Sequence, residues 1–174
     1  MSPNSRSAFP LPAASALILA LGSTFALAAA WYFQLVIGLA PCPLCLDQRI
    51  AYYAGVPLAI VSFMLLVFGA ERTVWVGIGR VLLGVLALAM FANAVLAAYH
   101  AGVEWRFWAG PTSCTGGVPQ ITTDVFAALK GTRVLRCDEA PWRLFGVSMA
   151  GWNALIAAGL GGVASCGALW PRKT

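Results

Sequence analysis

The sequence predicts an all-α polytopic membrane protein, an antiparallel four-transmembrane-helix bundle with a long second extracytoplasmic loop. Three observations carry that prediction. Of 174 residues, 60% are hydrophobic and only 10% charged, against roughly 25% charged in a soluble domain. Four apolar runs each reach the ~20 residues that cross a hydrocarbon core as a helix. Strands with open edges would strand backbone hydrogen-bonding groups in lipid, so the spans are read as helices. No soluble domain fits between them, and residues 1–174 read as a single membrane domain.

The elements follow in order. The polar, proline-rich opening MSPNSRSAFPLP predicts a short cytoplasmic tail over 1–12. The first span, 13–33, closes on Trp31, Tyr32 and Phe33, the aromatic belt of a membrane interface. Its ALAAAW stretch offers a cleavage site of the signal-peptide kind. The apolar run is longer than the usual h-region of about 7–15 residues, however, so a retained helix is expected. A first outer loop, 34–49, holds the stretch APCPLCLDQR, and a second span follows over 50–69. A connection at 70–77 carries nothing reactive and leads to a third span, 78–99.

The second outer loop, 100–143, is too long to be a mere link. Within it Thr123 or Asp124 stands where it can cap a short helix showing Val125, Phe126 and Leu129. That segment reads either as a helix lying flat on the membrane or as a folded loop turn. The fourth span is expected at 144–169, with a cytoplasmic tail at 170–174.

Charge excludes one class of function and leaves orientation open. The net charge of +5 comes from 11 basic against 6 acidic residues, thinly spread with no basic run. Lipid headgroups account for that excess better than nucleic acid does. Both faces carry arginines, so the positive-inside rule does not orient the chain. The cysteines do. Cys42, Cys45, Cys114 and Cys137 fall in the two connections that share a face, which points to an oxidising compartment on that side. Both termini are then cytoplasmic. Cys166, inside the fourth span, reads as a small buried hydrophobe, and Asn93 and Asn153 as interhelical hydrogen-bonding groups.

Four thiols on one face admit few chemistries. Zinc sites pair C-x-x-C units or add histidines, but here there is one C-x-x-C and one histidine, so no metal site is expected. Haem attachment fails because Leu46 stands where C-x-x-C-H needs histidine. A structural disulfide accounts for Cys114 and Cys137 but poorly for Cys42 and Cys45, whose short ring constrains little of the unfolded chain. A redox couple explains the close pair better. Pro43 suits the first turn of a helix, which places Cys42 at the cap and Cys45 in the first turn. There the helix dipole is expected to lower thiol pKa values. Arg49, four residues after Cys45, shares its face. It reads either as snorkelling to headgroups beside Asp47 or as a cation beside a thiolate or a reduced acceptor. His100, at the same membrane face, is either an interfacial histidine or a second polar group for that acceptor. Two dithiol pairs with one at the bilayer edge imply a two-electron relay into something dissolved in the membrane.

These residues resemble the DsbB family, membrane oxidases that reduce quinone and keep a periplasmic DsbA-type thiol oxidase oxidised. The resemblance runs through FQLVIGLAPCPLCLDQR, YHAGVEWRFWAGPTSC and RCDEAPWRLFGVSMAGWN, nearly the whole chain. It implies redox-active disulfides Cys42–Cys45 and Cys114–Cys137, with the partner's thiolate attacking Cys114 and freed Cys137 exchanging with Cys42. It implies Cys45 as the thiolate facing the quinone (ubiquinone or menaquinone), with Arg49 and His100 as quinone-binding residues. It also implies a bacterial inner-membrane location with periplasmic cysteine loops. The vitamin K epoxide reductase-like proteins carry their C-x-x-C at the last helix, whereas here it precedes the second. A non-catalytic scaffold with disulfide-stapled outer loops is the competing class. A small transporter is disfavoured by the scarcity of ionisable groups in the spans.

Overall fold

The computed structural model describes residues 11–111 and 137–171. Cys114 and the segment from Thr123 to Leu129 lie outside the described residues, as do both extreme ends. Four helices are each long and apolar enough to cross a membrane: α1 Leu11–Leu35, α2 Pro43–Phe68, α3 Thr73–Glu104 and α4 Met149–Leu169. A two-residue hairpin, β1 Arg143–Leu144 with β2 Val147–Ser148, precedes α4.

Each helix packs against its neighbours in chain order, and α4 closes the ring on α1. Short connections make α1 and α2, and α2 and α3, antiparallel. Arg80, near the start of α3, confirms the pairing with α4: its Nε and Nη2 donate to Ala168 O at 3.0 and 2.8 Å, and Nη2 also reaches Trp170 O. A guanidinium at that helix C-terminus satisfies orphan carbonyls and suits the macrodipole.

The bundle centre is built largely from alanine, with Leu19, Leu83, Leu86 and Met90 filling between. Small side chains let helix axes approach, as association in lipid requires. The α2–α3 contact shows how close: a Cβ on Gly79 would meet the Leu66 side chain at 2.9 Å, and Ser62 Oγ donates to Gly79 O at 2.8 Å. Large apolar groups such as Phe25, Leu88 and Val95 are turned outward. In water such a coat would be an aggregation surface, whereas in a bilayer it is the ordinary one.

The elements differ from expectation where capping chemistry intervenes. Helix α2 starts at Pro43 rather than 50, because Cys42 caps it with its side chain accepting from Cys45 N. Helix α3 extends about one turn further at both ends than the expected 78–99. It ends in a Schellman motif, with Phe107 N donating to Gly102 O and Arg106 N to Val103 O. Arg106 takes the left-handed position with φ 60. Helix α4 starts at Met149 rather than 144, because Phe145 (φ 51) and Gly146 (φ 80) form a hairpin turn and Ser148 then caps the helix through Gly151 N.

One polar expectation is corrected in the packing. Cys166 is exposed on the outside of the bundle rather than buried within it, since the α4 face around Gly161, Ala164 and Gly167 takes the inward side. Asn153 bonds across helices, and the buried Asn93 side chain of α3 meets the Tyr52 hydroxyl of α2.

Candidate redox site

The site is assembled where α2 begins and α3 ends. Extended backbone at Cys42 (φ −77, ψ 166) turns its sulphur back over the first turn, where it accepts from Cys45 N at 3.3 Å. Cys42 Sγ lies 2.9 Å from Cys45 Sγ and donates to it, both cysteines being free thiols. That hydrogen bond, with burial second, holds the Cys42 thiol above the usual cysteine range. The dipole argument predicted a lowered value, and for this residue it loses. A sulphur that gives its proton to a neighbouring sulphur keeps that proton, and a buried site disfavours charge.

Cys137 lies against the same pair. Cys42, Leu44, Val103 and Cys137 form one small buried cluster, and Cys137 is 1% exposed. The sulphurs of Cys42 and Cys137 and a ring nitrogen of His100 all lie within 4.8 Å of one another. Sequence spacing gave no hint of that convergence, because the chain between His100 and Cys137 is long. Donor atoms this close are also compact enough for a metal, but Cys137 is disulfide-bonded and so offers no thiolate. The cluster has the geometry of thiol–disulfide exchange, in which one sulphur approaches another already in a bridge.

His100 is buried at the centre of these groups. Its Nε2 stands 3.6 Å from Cys42 Sγ and 4.0 Å from Glu104 Oε1, one helical turn on. Its Nδ1 meets Gln48 Nε2 at 2.9 Å, and Asn153 Nδ2 in turn donates to Gln48 Oε1 at 2.7 Å. Glu104 is itself buried, with Oε2 unpaired among the described residues. The interfacial reading of His100 is therefore set aside in favour of a ring locked between α2 and α3.

Beside the thiol pair, a cavity of about 420 Å³ opens between α1, α2 and α4. Its wall is mostly apolar, with Phe33, Leu39, Trp142, Met149 and Ile156 among the lining residues. Cys45, Gln48, Arg49, Tyr52, His100 and Asn153 supply the polar groups. A mainly apolar cavity with a few convergent polar groups is the form of a small-molecule site. Residues 45, 48, 49 and 52 fall on one face of α2 by the three-and-four spacing of a helix. The sequence reading identified Cys45 and Arg49 on that face but not Gln48 or Tyr52. The signal was there, since polar side chains recurred at helical spacing into a membrane span.

Arg49 is held by neighbours other than the expected Asp47. Its Nη1 donates to Gln34 Oε1 at 2.7 Å, and its guanidinium sits 5.9 Å from the centre of the Trp31 ring. Trp31 is fixed in turn by donating Nε1–H to Tyr53 OH at 3.0 Å.

Comparison with known proteins fits this geometry. The family model described as Disulfide bond formation protein DsbB matches residues 12–166. Disulfide bond formation protein B of Xanthomonas euvesicatoria pv. vesicatoria (strain 85-10) is 36% identical over 141 residues, covering 77% of each chain. Disulfide bond formation protein B 2 of Pseudomonas syringae pv. syringae (strain B728a) is 30% identical over 141 residues, covering 75% of this chain and 73% of its own. The Disulfide bond formation protein B of Dechloromonas aromatica (strain RCB) is 30% identical over 159 residues, covering 89% and 90%. No solved structure matches the chain significantly.

Proposed function

This chain belongs to the DsbB family of disulfide bond formation proteins, and from that premise we propose that it oxidises a periplasmic DsbA-type thiol oxidase and passes the electrons to a membrane quinone. The observation that carries the reading is the line of sulphurs. Cys45 lines the cavity, Cys42 stands 2.9 Å behind it, and Cys137 lies within 4.8 Å of Cys42. Electrons entering at the outer pair therefore have a continuous path of exchange partners to the cavity wall.

The steps balance as thiol–disulfide exchange. A partner thiolate attacks Cys114 of a Cys114–Cys137 disulfide and frees Cys137. Cys137 then attacks Cys42 of a Cys42–Cys45 disulfide and leaves the electron pair on Cys45. Once the partner's second thiol has released it as a disulfide, Cys114 attacks Cys137, and the Cys42–Cys137 bond breaks. The outer pair is restored, and Cys42 and Cys45 are left as the reduced pair. Free thiols at Cys42 and Cys45 and a disulfide-bonded Cys137 support this reading.

The cavity suits a quinone: an apolar wall for ring and tail, with Arg49 and His100 among its polar groups. The Cys42–Cys45 dithiol would give up two electrons and two protons to a quinone held there and close to a disulfide. Arg49, half-buried on the same helical face as Cys45, supplies a positive charge there. The cysteine-bearing loops then face the periplasm and both termini the cytoplasm of a bacterial inner membrane.

The test is to extract the purified protein with organic solvent, identify any quinone, and follow quinone absorbance on adding a reduced DsbA-type protein. Stoichiometric quinone with turnover is the expected result. Protein that binds no quinone and reduces none under any dithiol would overturn the reading.

A further inference from the structure

The cavity wall carries a hydrogen-bond chain that the sulphur relay does not by itself require. The Tyr52 hydroxyl donates to Asn153 Oδ1 at 2.6 Å, Asn153 Nδ2 donates to Gln48 Oε1 at 2.7 Å, and Gln48 Nε2 meets His100 Nδ1 at 2.9 Å. The chain joins α2, α4 and α3 and ends on an imidazole whose other nitrogen lies 3.6 Å from Cys42 Sγ. Gln48 and His100 are 5% and 2% exposed, so water does not compete for these bonds.

A primary amide has one donor end and one acceptor end. Direction fixed at either end of such a chain is therefore fixed throughout. Here both ends specify the same direction. At one end the Tyr52 hydroxyl also meets the buried Asn93 side chain of α3, which acts on it as a donor. An N–H on that side makes the Tyr52 oxygen an acceptor there and a donor toward Asn153. At the other end His100 Nε2 faces the Cys42 sulphur and Glu104 Oε1 at 4.0 Å, and the Cys137 backbone is a further acceptor beside the ring. The sulphur and the carboxylate both favour a proton on Nε2 and a bare Nδ1 toward the Gln48 amide.

We propose that the Tyr52–Asn153–Gln48 chain holds His100 in the Nε2–H tautomer, so that the ring donates a hydrogen bond to Cys42 whenever that sulphur carries charge. Tyr52, Asn153 and Gln48 are positioning residues that act through the ring. The inference rests on the relay described above, at one step of it. When Cys114 attacks Cys137 in a Cys42–Cys137 disulfide, that bond breaks, the Cys114–Cys137 bond forms, and the electron pair leaves on Cys42. Exchange is faster when the leaving sulphur is stabilised as a thiolate, and here the stabilising donor is already in place in a dry site. Cooperative polarisation along the chain strengthens that last N–H.

His100 is the protein's sole histidine, which makes the test direct. Reduced protein labelled with 15N in histidine gives one pair of ring-nitrogen signals, recorded in detergent at mildly alkaline pH. The expected spectrum shows Nε2 protonated and Nδ1 bare. Tyr52→Phe and Asn153→Leu remove the direction-setting groups while keeping shape. Both are expected to give mixed tautomers and to lower kcat about tenfold, the scale of one lost hydrogen bond to a charged group. A wild-type spectrum with the proton on Nδ1 overturns the proposal even if neither variant folds. So does an unmoved tautomer in a folded variant, or a change confined to KM. If the tautomer behaves as stated in a protein that never reduces quinone, the acceptor reading fails while the hydrogen-bond chain stands.

Discussion

Arg49 Nη1 donates to Gln34 Oε1 at 2.7 Å, tying the first turns of α2 to the last turn of α1 at the edge of the cavity. The bond matters because an unheld arginine at a membrane surface extends toward headgroups. Gln34 and the Trp31 ring instead keep the guanidinium on the cavity wall.

The first prediction follows from that bond. Arg49→Met keeps the apolar stem and removes the charge. It is expected to raise the quinone KM about tenfold or more, the scale of a lost charge-assisted interaction, while thermal stability changes little. Gln34→Leu leaves the charge but frees it, so a smaller rise in the same direction is expected. Initial rates over a range of quinone concentrations measure both. Wild-type KM in Arg49→Met would mean that the cation serves only the lipid surface.

Much of this arrangement was legible in the sequence, and the reasons for the rest are physical. Hydrophobic run length fixes the number of spans, because lipid admits few spanning structures. The run does not fix helix ends, which depend on caps. Pro43 and Cys42 moved one start outward, and Phe145–Gly146 moved another inward. The C-x-x-C and Arg49 were visible as a local pattern at helical spacing. Cys137 beside Cys42, and Gln48 between His100 and Asn153, are contacts between remote segments. Pattern within one helix carries no information about which residue of another helix it meets.

The second prediction concerns the end of α3. A Cβ on Gly102 would fall 2.1 Å from the Trp108 ring, which is held there by Nε1–H donating to Tyr99 O at 3.0 Å and by stacking on Tyr99. Backbone cannot give way inside a Schellman turn, so the indole must leave. Gly102→Val is expected to cost about 1–3 kcal/mol by overpacking. The loss should appear as a lower Tm. An unchanged Tm would place Trp108 elsewhere.

The third prediction concerns orientation. After reduction, a membrane-impermeant thiol reagent added to intact spheroplasts is expected to label the loop cysteine Cys114, whereas buried Cys137 is shielded. A cysteine placed at Thr73, at the start of α3, should react only after the membrane is opened. The reverse pattern would invert the protein in the membrane, and with it the compartment of its partner.

The last prediction separates the two pairs by access. Cys42 and Cys137 are 5% and 1% exposed, and Cys45 lines the cavity. A protein partner therefore has no direct way to the inner pair and must enter through the outer one. A small dithiol such as dithiothreitol is under no such restriction. Changing Cys114 and Cys137 together to serine is expected to abolish oxidation of the partner protein while sparing part of the quinone reduction driven by dithiothreitol. Changing Cys45 to serine is expected to abolish both, because no sulphur then remains at the cavity wall to complete the disulfide with Cys42. Quinone absorbance followed with each reductant distinguishes these outcomes. Full activity of the double variant toward the partner protein, or quinone reduction by the Cys45 variant, would mean that electrons take another route than Cys137 to Cys42 to Cys45.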